Sequence, residues 1–322
     1  MAHELEMING KAQMAYVGEK PWHRLGTEVE EGIMPLEMME VAGLDWEVQK
    51  KDLTFLNREG ERVRIPNKKV LTRKSDDKIL DIVGDEWVPV QNKTAFEFFQ
   101  EFCEEGSIKM HTAGSLMNGK KVWALGKIDS SFELFGGDKV QGYLLFSNPH
   151  QFGQSVDVRF TPIRVVCNNT LTLSLGSKVE NFARITHRKE FEPEMVKKIL
   201  GLASEKMDEY KQVAEKLGSK QVEDKQFKEF LGKIFGESKK EDKDTKELML
   251  TRTAQLAYDA FENQPGSQYA KGSWWQALNA VTYVTDHKQG NTAEARLNSM
   301  WYGANKNKKI SAVKLALEYA DA

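Results

Sequence analysis

The stretch "IKMHTAGSLMNGKKVWALGKI", Ile108 to Ile128, decides how the first half of the chain folds. Two alternating runs flank Asn118-Gly119. That pair accepts the positive φ angles of a type I′ turn, so the stretch predicts a two-stranded hairpin. Working outward, "KVQGYLLFSN" (139–148) and "SVDVRFTPIRVV" (155–166) read as further strands on the C-terminal side. On the N-terminal side "NKTAFEFFQEFCEEG" (92–106) places Phe96, Phe99 and Cys103 on one helical stripe, with Asn92 or Thr94 as N-cap and Gly106 just past the end. Before it, "QKKDLTFL" (49–56), "RVRIPNKKVLTRK" (62–74) and "KILDIVGDEWVPV" (78–90) carry β-branched and aromatic residues, separated by the turns "NREGE" and "KSDDK". "MPLEMMEVAGLDWEV" (34–48) reads as a short helix ending at Gly43. The hairpin-length connections argue for a mostly antiparallel, curved sheet with packed helices.

From Glu190 the texture is helical. "EPEMVKKILGLASEKMDEYKQVAEKLG" places Val196, Ile199, Ala203, Met207, Tyr210, Ala214 and Leu217 on one face, with Pro193 in the first turn and Gly218 at the end. Shorter helices are expected near 222–235, 244–262, 273–289, 291–302 and 308–320, and the charge run "ESKKEDKDTKE" as a solvated linker. The expected fold is therefore α+β over residues 1–188, followed by a helical domain over 189–322.

Composition narrows the function classes. The 322 residues carry a net charge of −2, so any nucleic-acid or membrane contact needs a local patch. No apolar run approaches the ~20 residues of a membrane span, and the N-terminus lacks a basic region followed by an apolar one; the expectation is a soluble, cytoplasmic protein. Cys103 and Cys167 belong to no metal-binding cluster and are expected to be reduced and buried. The six histidines are scattered, and no phosphate-loop, dinucleotide, nucleophile-elbow or zinc-protease motif occurs, so no metal, cofactor or catalytic residue is expected.

Charge is uneven within the chain. Between Lys50 and Lys78 ten Lys/Arg stand against five Asp/Glu, a local net of +5. Arg62, Arg64, Lys68, Lys69, Arg73 and Lys74 form a candidate ribbon for phosphates, with Trp87 as a stacking surface; the alternative is a charged strand edge that blocks aggregation. In "FTPIRVVCNNTL" (160–171) the apolar alternation breaks at Pro162, as in a bulged strand, and leaves Arg159 and Arg164 needing polar partners. Asn168-Asn169 suit a turn between strands, or the cap of a helix from Thr170 whose free N–H groups would receive an anion beside Arg164. In "SWWQALNAVTYVTDH" a polar stripe of Trp275, Asn279, Thr282 and Asp286 suggests either a ligand groove or a helix packed on both sides. Asp286-His287 reads as a helix-end cap or as an acid/base pair, and His111 is a second candidate base for a hydrolase.

Five stretches together resemble the phage- and plasmid-related proteins that carry domain of unknown function 932. They are "PWHRLGTEV" (21–29), "ILDIVGDEWVPVQNKTAFEFF" (79–99), "HTAGSLMNGKKVWAL" (111–125), "YLLFSNPHQFGQSVDVRFTPIRVVCNNTL" (143–171) and "GSWWQALNAVTYVTDHKQG" (272–290). The resemblance implies a phage or plasmid setting and brings no activity, cofactor or catalytic residue. The order of helix, hairpin strands, helix, long hairpin strands and helical end also looks like that of the phage single-strand annealing proteins of the RecT and Red-beta type. The expected function is non-enzymatic binding of single-stranded DNA in annealing, recombination or replication, with the C-terminal helices serving self-assembly or partner binding. The alternatives are a host-interaction or anti-defence protein that binds a protein or nucleotide, and an unrecognised hydrolase.

Overall fold

A computed structural model describes residues 6–18, 25–106, 108–164, 169–170, 183–185, 193–241, 248–290 and 293–321. The chain opens with short strands β1 (Met7–Ile8), β2 (Lys11–Ala12), β3 (Met14–Val17) and β4 (Thr27–Val29), then helix α1 (Pro35–Val41). Next come β5 (Val48–Leu56), β6 (Arg62–Arg73), β7 (Ile79–Gly84), α2 (Asn92–Gly106), β8 (Lys109–Leu116) and β9 (Lys121–Leu134). They are followed by β10 (Asp138–Pro149), β11 (Val156–Arg164), β12 (Asn169–Thr170) and β13 (Ala183–Ile185). The remainder is mainly helical: α3 (Pro193–Gly218), α4 (Asp224–Phe235), the hairpin β14 (Glu237–Glu241) and β15 (Leu248–Leu250), α5 (Arg252–Asn263) and α6 (Trp274–Tyr283). A π-helical turn (Val284–Lys288), α7 (Ala293–Tyr302) and α8 (Ala304–Asp321) complete an α+β fold. No described helix is long and apolar enough to cross a membrane.

Two compact units emerge, and neither is continuous in sequence. One comprises Met1–Ile128, Leu144–Phe160 and Asn181–Leu200; the other Asp129–Tyr143, Thr161–Glu180 and Gly201–Ala322.

The predicted hairpin is β8–β9, paired from Lys109↔Lys127 to Leu116↔Lys121. Asn118 and Gly119 hold the positive φ expected of them, 58° and 89°, Met117 before them is left-handed as well at 56°, and the Lys120 N–H donates to Met117 O at 3.4 Å, closing a four-residue loop. The large sheet runs in the order β12-β11-β10-β9-β8-β3-β4, with β13 also on β11. Strand β3 joins β8 antiparallel and β4 parallel. Its four residues, "MAYV", are too short and too uniformly apolar to alternate, and sequence reading passes over them. Helix α2 lays its stripe on β10: Phe99 stacks on Phe146 at 4.9 Å between centroids, and Phe96 meets the same ring edge-on. Cys103 is buried beside them, and burial pushes its thiol well above the ordinary range.

In the second unit α3 buries Ala203, Met207, Tyr210, Ala214 and Leu217, as its spacing predicts. Tyr210 meets Trp275 edge-on at 5.7 Å, while Trp274 on the next face stacks on Tyr319 at 5.0 Å. The first part of the charge run expected to be a linker instead forms β14, which pairs with β15 from Glu237↔Leu250 to Glu241↔Leu248; residues 242–247 lie outside the described residues.

Candidate functional site

Strands β5, β6 and β7 make a separate three-stranded antiparallel sheet. β7 pairs only with Lys68–Thr72, so the far end of β5–β6 continues past it as a two-stranded arm: Thr54↔Arg64, Phe55↔Val63 and Leu56↔Arg62. Between the pairs Asp52↔Lys69 and Thr54↔Arg64, β5 advances two residues and β6 five. The excess is absorbed at Pro66-Asn67-Lys68, where Asn67 adopts φ of 56°. This bulge sets the faces. It keeps Arg62, Arg64 and Lys69 on the same side as Asp52, while Phe55 and Val63 lie on the other.

Much of the predicted ribbon is already paired. Arg73 is buried; its guanidinium donates to Glu6 at 2.8 Å and to Asp76 through two bonds of 2.7 and 2.8 Å, and it sits over the Trp46 ring. Arg73 is therefore a core ion and is removed from the phosphate ribbon. Lys74 pairs with Glu47 at 2.8 Å, Lys51 with Asp77, and Lys50 caps the carbonyls of Asp85 and Trp87. Trp87 is half-buried at the loop after β7, on the rim of this sheet.

On the arm the balance differs. Asp52 faces Lys69 and, at 3.3 Å, Arg64. The Lys69 hydrogen bond, followed by the charge of Arg64, holds the Asp52 carboxyl below its ordinary value despite partial desolvation. Arg62 and Arg64 are exposed, with Leu56 beside them open to solvent. Lys68 is exposed at the bulge, and Arg58 at the turn, where the Asn57 side chain accepts from the Glu59 and Glu61 N–H groups.

The other predicted site residues lie elsewhere. Arg159 is half-buried and clasps Asp157 through bonds of 2.6 and 3.1 Å. Arg164 and Asn169 form the last backbone pair of the β11–β12 ladder. Asn169 and Thr170 thus continue as strand, which corrects the alternative of a helix beginning at Thr170 and removes its anion-binding N-terminus. Asn168 and Cys167 lie outside the described residues.

Trp275, Asn279, Thr282 and Asp286 are all buried, which corrects the groove reading in favour of a helix packed on both sides. The Trp275 indole donates to Asp138 at 2.8 Å, Asn279 Nδ2 to Trp275 O at 2.8 Å, and Thr282 to Asn279 O at 2.9 Å. Asp286 accepts from buried Lys309 at 2.8 Å, whose ammonium burial pulls down and Asp286 partly restores. His287 instead lies against the Tyr283 ring. The helix ends in a π turn, and the Asn305 amide donates to the Thr285 and Gln289 carbonyls that this turn releases. His111 is the extra residue of a β8 bulge, between Met110↔Gly126 and Thr112↔Leu125; burial, then Lys127, lowers its pKa. No group of three metal-ligating side chains converges among the described residues.

Two polar clusters escaped the sequence reading. Asn92, expected as an N-cap, donates to Leu44 O at 2.8 Å, which turns its oxygen to His150 Nε2 (2.8 Å) and Asn148 Nδ2 (3.1 Å). The first-turn position was legible; the inward turn of its amide depends on residues more than forty positions away. Lys121 is buried where β9 begins; desolvation, then Arg159, lowers its ammonium to about 8 against the pull of Asp157.

Residues 79–310 match domain of unknown function DUF932, and the chain belongs to that family. No curated protein and no solved structure matches it.

Proposed function

We propose that this member of the DUF932 family binds single-stranded nucleic acid, without catalysing a reaction, through the cationic face of the β5–β6 arm. One observation carries the reading: the arm presents exposed Arg62 and Arg64 on one face, with Lys69 on the same side at its base and Asp52 divided between Arg64 and Lys69, beside solvent-exposed Leu56. Arginines spaced two residues apart along a strand are about 7 Å apart, close to the spacing of successive phosphates on an extended strand. Leu56, paired across from Arg62, offers an apolar surface to an unstacked base, and Arg58 at the turn extends the positive field at one end.

The arm, rather than the whole 62–74 ribbon, is the contact, because Arg73 is buried against Glu6 and Asp76 and Lys74 has the Glu47 carboxylate to itself, whereas Arg64 and Lys69 divide one carboxylate and Arg62 is exposed. Likeness to phage and plasmid proteins suits a role in annealing, recombination or replication inside a host cell. The test is fluorescence anisotropy with a labelled oligothymidylate. Arg62→Ala/Arg64→Ala is expected to weaken binding about tenfold or more at low salt with an unchanged melting temperature. Equal affinity in the variant and the parent overturns the proposal.

A further inference from the structure

The opposite face of the same sheet carries a different chemistry. Strand alternation and the register place Leu53 and Phe55 of β5, Val63, Ile65 and Val70 of β6, and Ile79 and Ile82 of β7 on one side. Four of them are open to solvent: Phe55 by 52%, Val63 by 37%, Ile79 by 64% and Ile82 by 49%. The inner face, by contrast, buries Val48, Leu71, Leu80 and Val83. A sheet with one face in the core normally turns polar residues outward, so this apolar side asks for a cover.

We infer that a second copy of this chain covers it, the two outer faces packing across a two-fold axis. Charge argues against nucleic acid there. Lys51 is neutralised by Asp77, Lys68 is the other charged side chain of the central strip, and Arg62 and Arg64 of the arm lie on the opposite side. A face of near-neutral apolar residues is complementary to itself, and isologous packing brings the Phe55–Val63 end of one copy onto the Ile79–Ile82 end of the other. Area sets the strength. Three strands about 5 Å apart and about 30 Å long give a footprint below the standard interface of about 800 Å² per partner, so the dimer is weak and concentration-dependent. Its formation leaves Arg62 and Arg64 outside the interface.

Sedimentation velocity on the full chain, from about 1 µM to about 300 µM, reads this directly. The expected result is a rise from monomer to dimer across that range. Phe55→Glu and Ile82→Glu should each weaken association about tenfold or more, whereas Ile82→Val and Arg62→Ala leave it in place. Because the replaced side chains are exposed, circular dichroism and melting temperature should stay at parental values. A monomer at every concentration overturns the inference, and so does association that survives both glutamate substitutions.

Discussion

His150 shows most clearly what a single residue does here. It is fully enclosed, its Nε2–H donates to Asn92, and its ring lies 5.2 Å from that of Trp46. Burial lowers its pKa to about 3, so the native ring stays neutral while the unfolded chain takes up a proton near pH 6.5. Below that pH the unfolded state binds more protons, and stability falls as pH drops toward 3, by about 2 kcal/mol between pH 6.5 and pH 5. Urea melts at pH 7 and pH 5 check this: the drop should shrink by about that amount in His150→Gln, even though the variant starts less stable. A second residue separates core charge from binding charge. Arg73→Ala leaves buried Glu6 with Ser115 and the more distant Lys78 and should cost about 3 kcal/mol in a denaturant melt, while the folded fraction keeps its affinity for oligonucleotide.

At the scale of the element, the arm owes its two-sidedness to the bulge at Pro66-Asn67-Lys68. Asn67 sits in left-handed backbone, which a β-branched side chain adopts at a cost of about 1–2 kcal/mol. Asn67→Val should therefore loosen the arm and reduce oligonucleotide affinity, and Asn67→Gly should preserve both; hydrogen exchange of the amides in 54–65 beside a binding titration distinguishes them. The extent of β6 was legible from its β-branched residues, and Pro66 within the run was itself a bulge signal. What the sequence left open was which cations the bulge turns toward carboxylates. Glu6 reaches Arg73 across 67 positions, and no local pattern encodes that meeting. Likewise β14 was hidden in a charge run, because a short surface strand needs no apolar alternation when its partner β15 supplies the ladder.

Across the whole molecule, the polar residues that looked most reactive turn out to hold the fold. Asp286 is joined to Lys309, and Trp275 to Asp138, inside the second unit. Asp286→Asn removes the carboxylate charge from the buried Lys309 ammonium and should destabilise by about 3–5 kcal/mol in a thermal or urea melt, as a structural pair does. The family stretches "WWQALNAVTYVTD" and "FSNPH" thus mark buried networks, and the nucleic-acid contact proposed above lies on the β5–β6 arm, which precedes residues 79–310. The salt dependence of binding reads out that proposed contact. Each phosphate contact on a single strand contributes a slope of about −0.7 in log K against log salt, so removing Arg62 and Arg64 should flatten the parental slope by about 1.4. Parent and variant lines of equal slope would remove the arm from the contact.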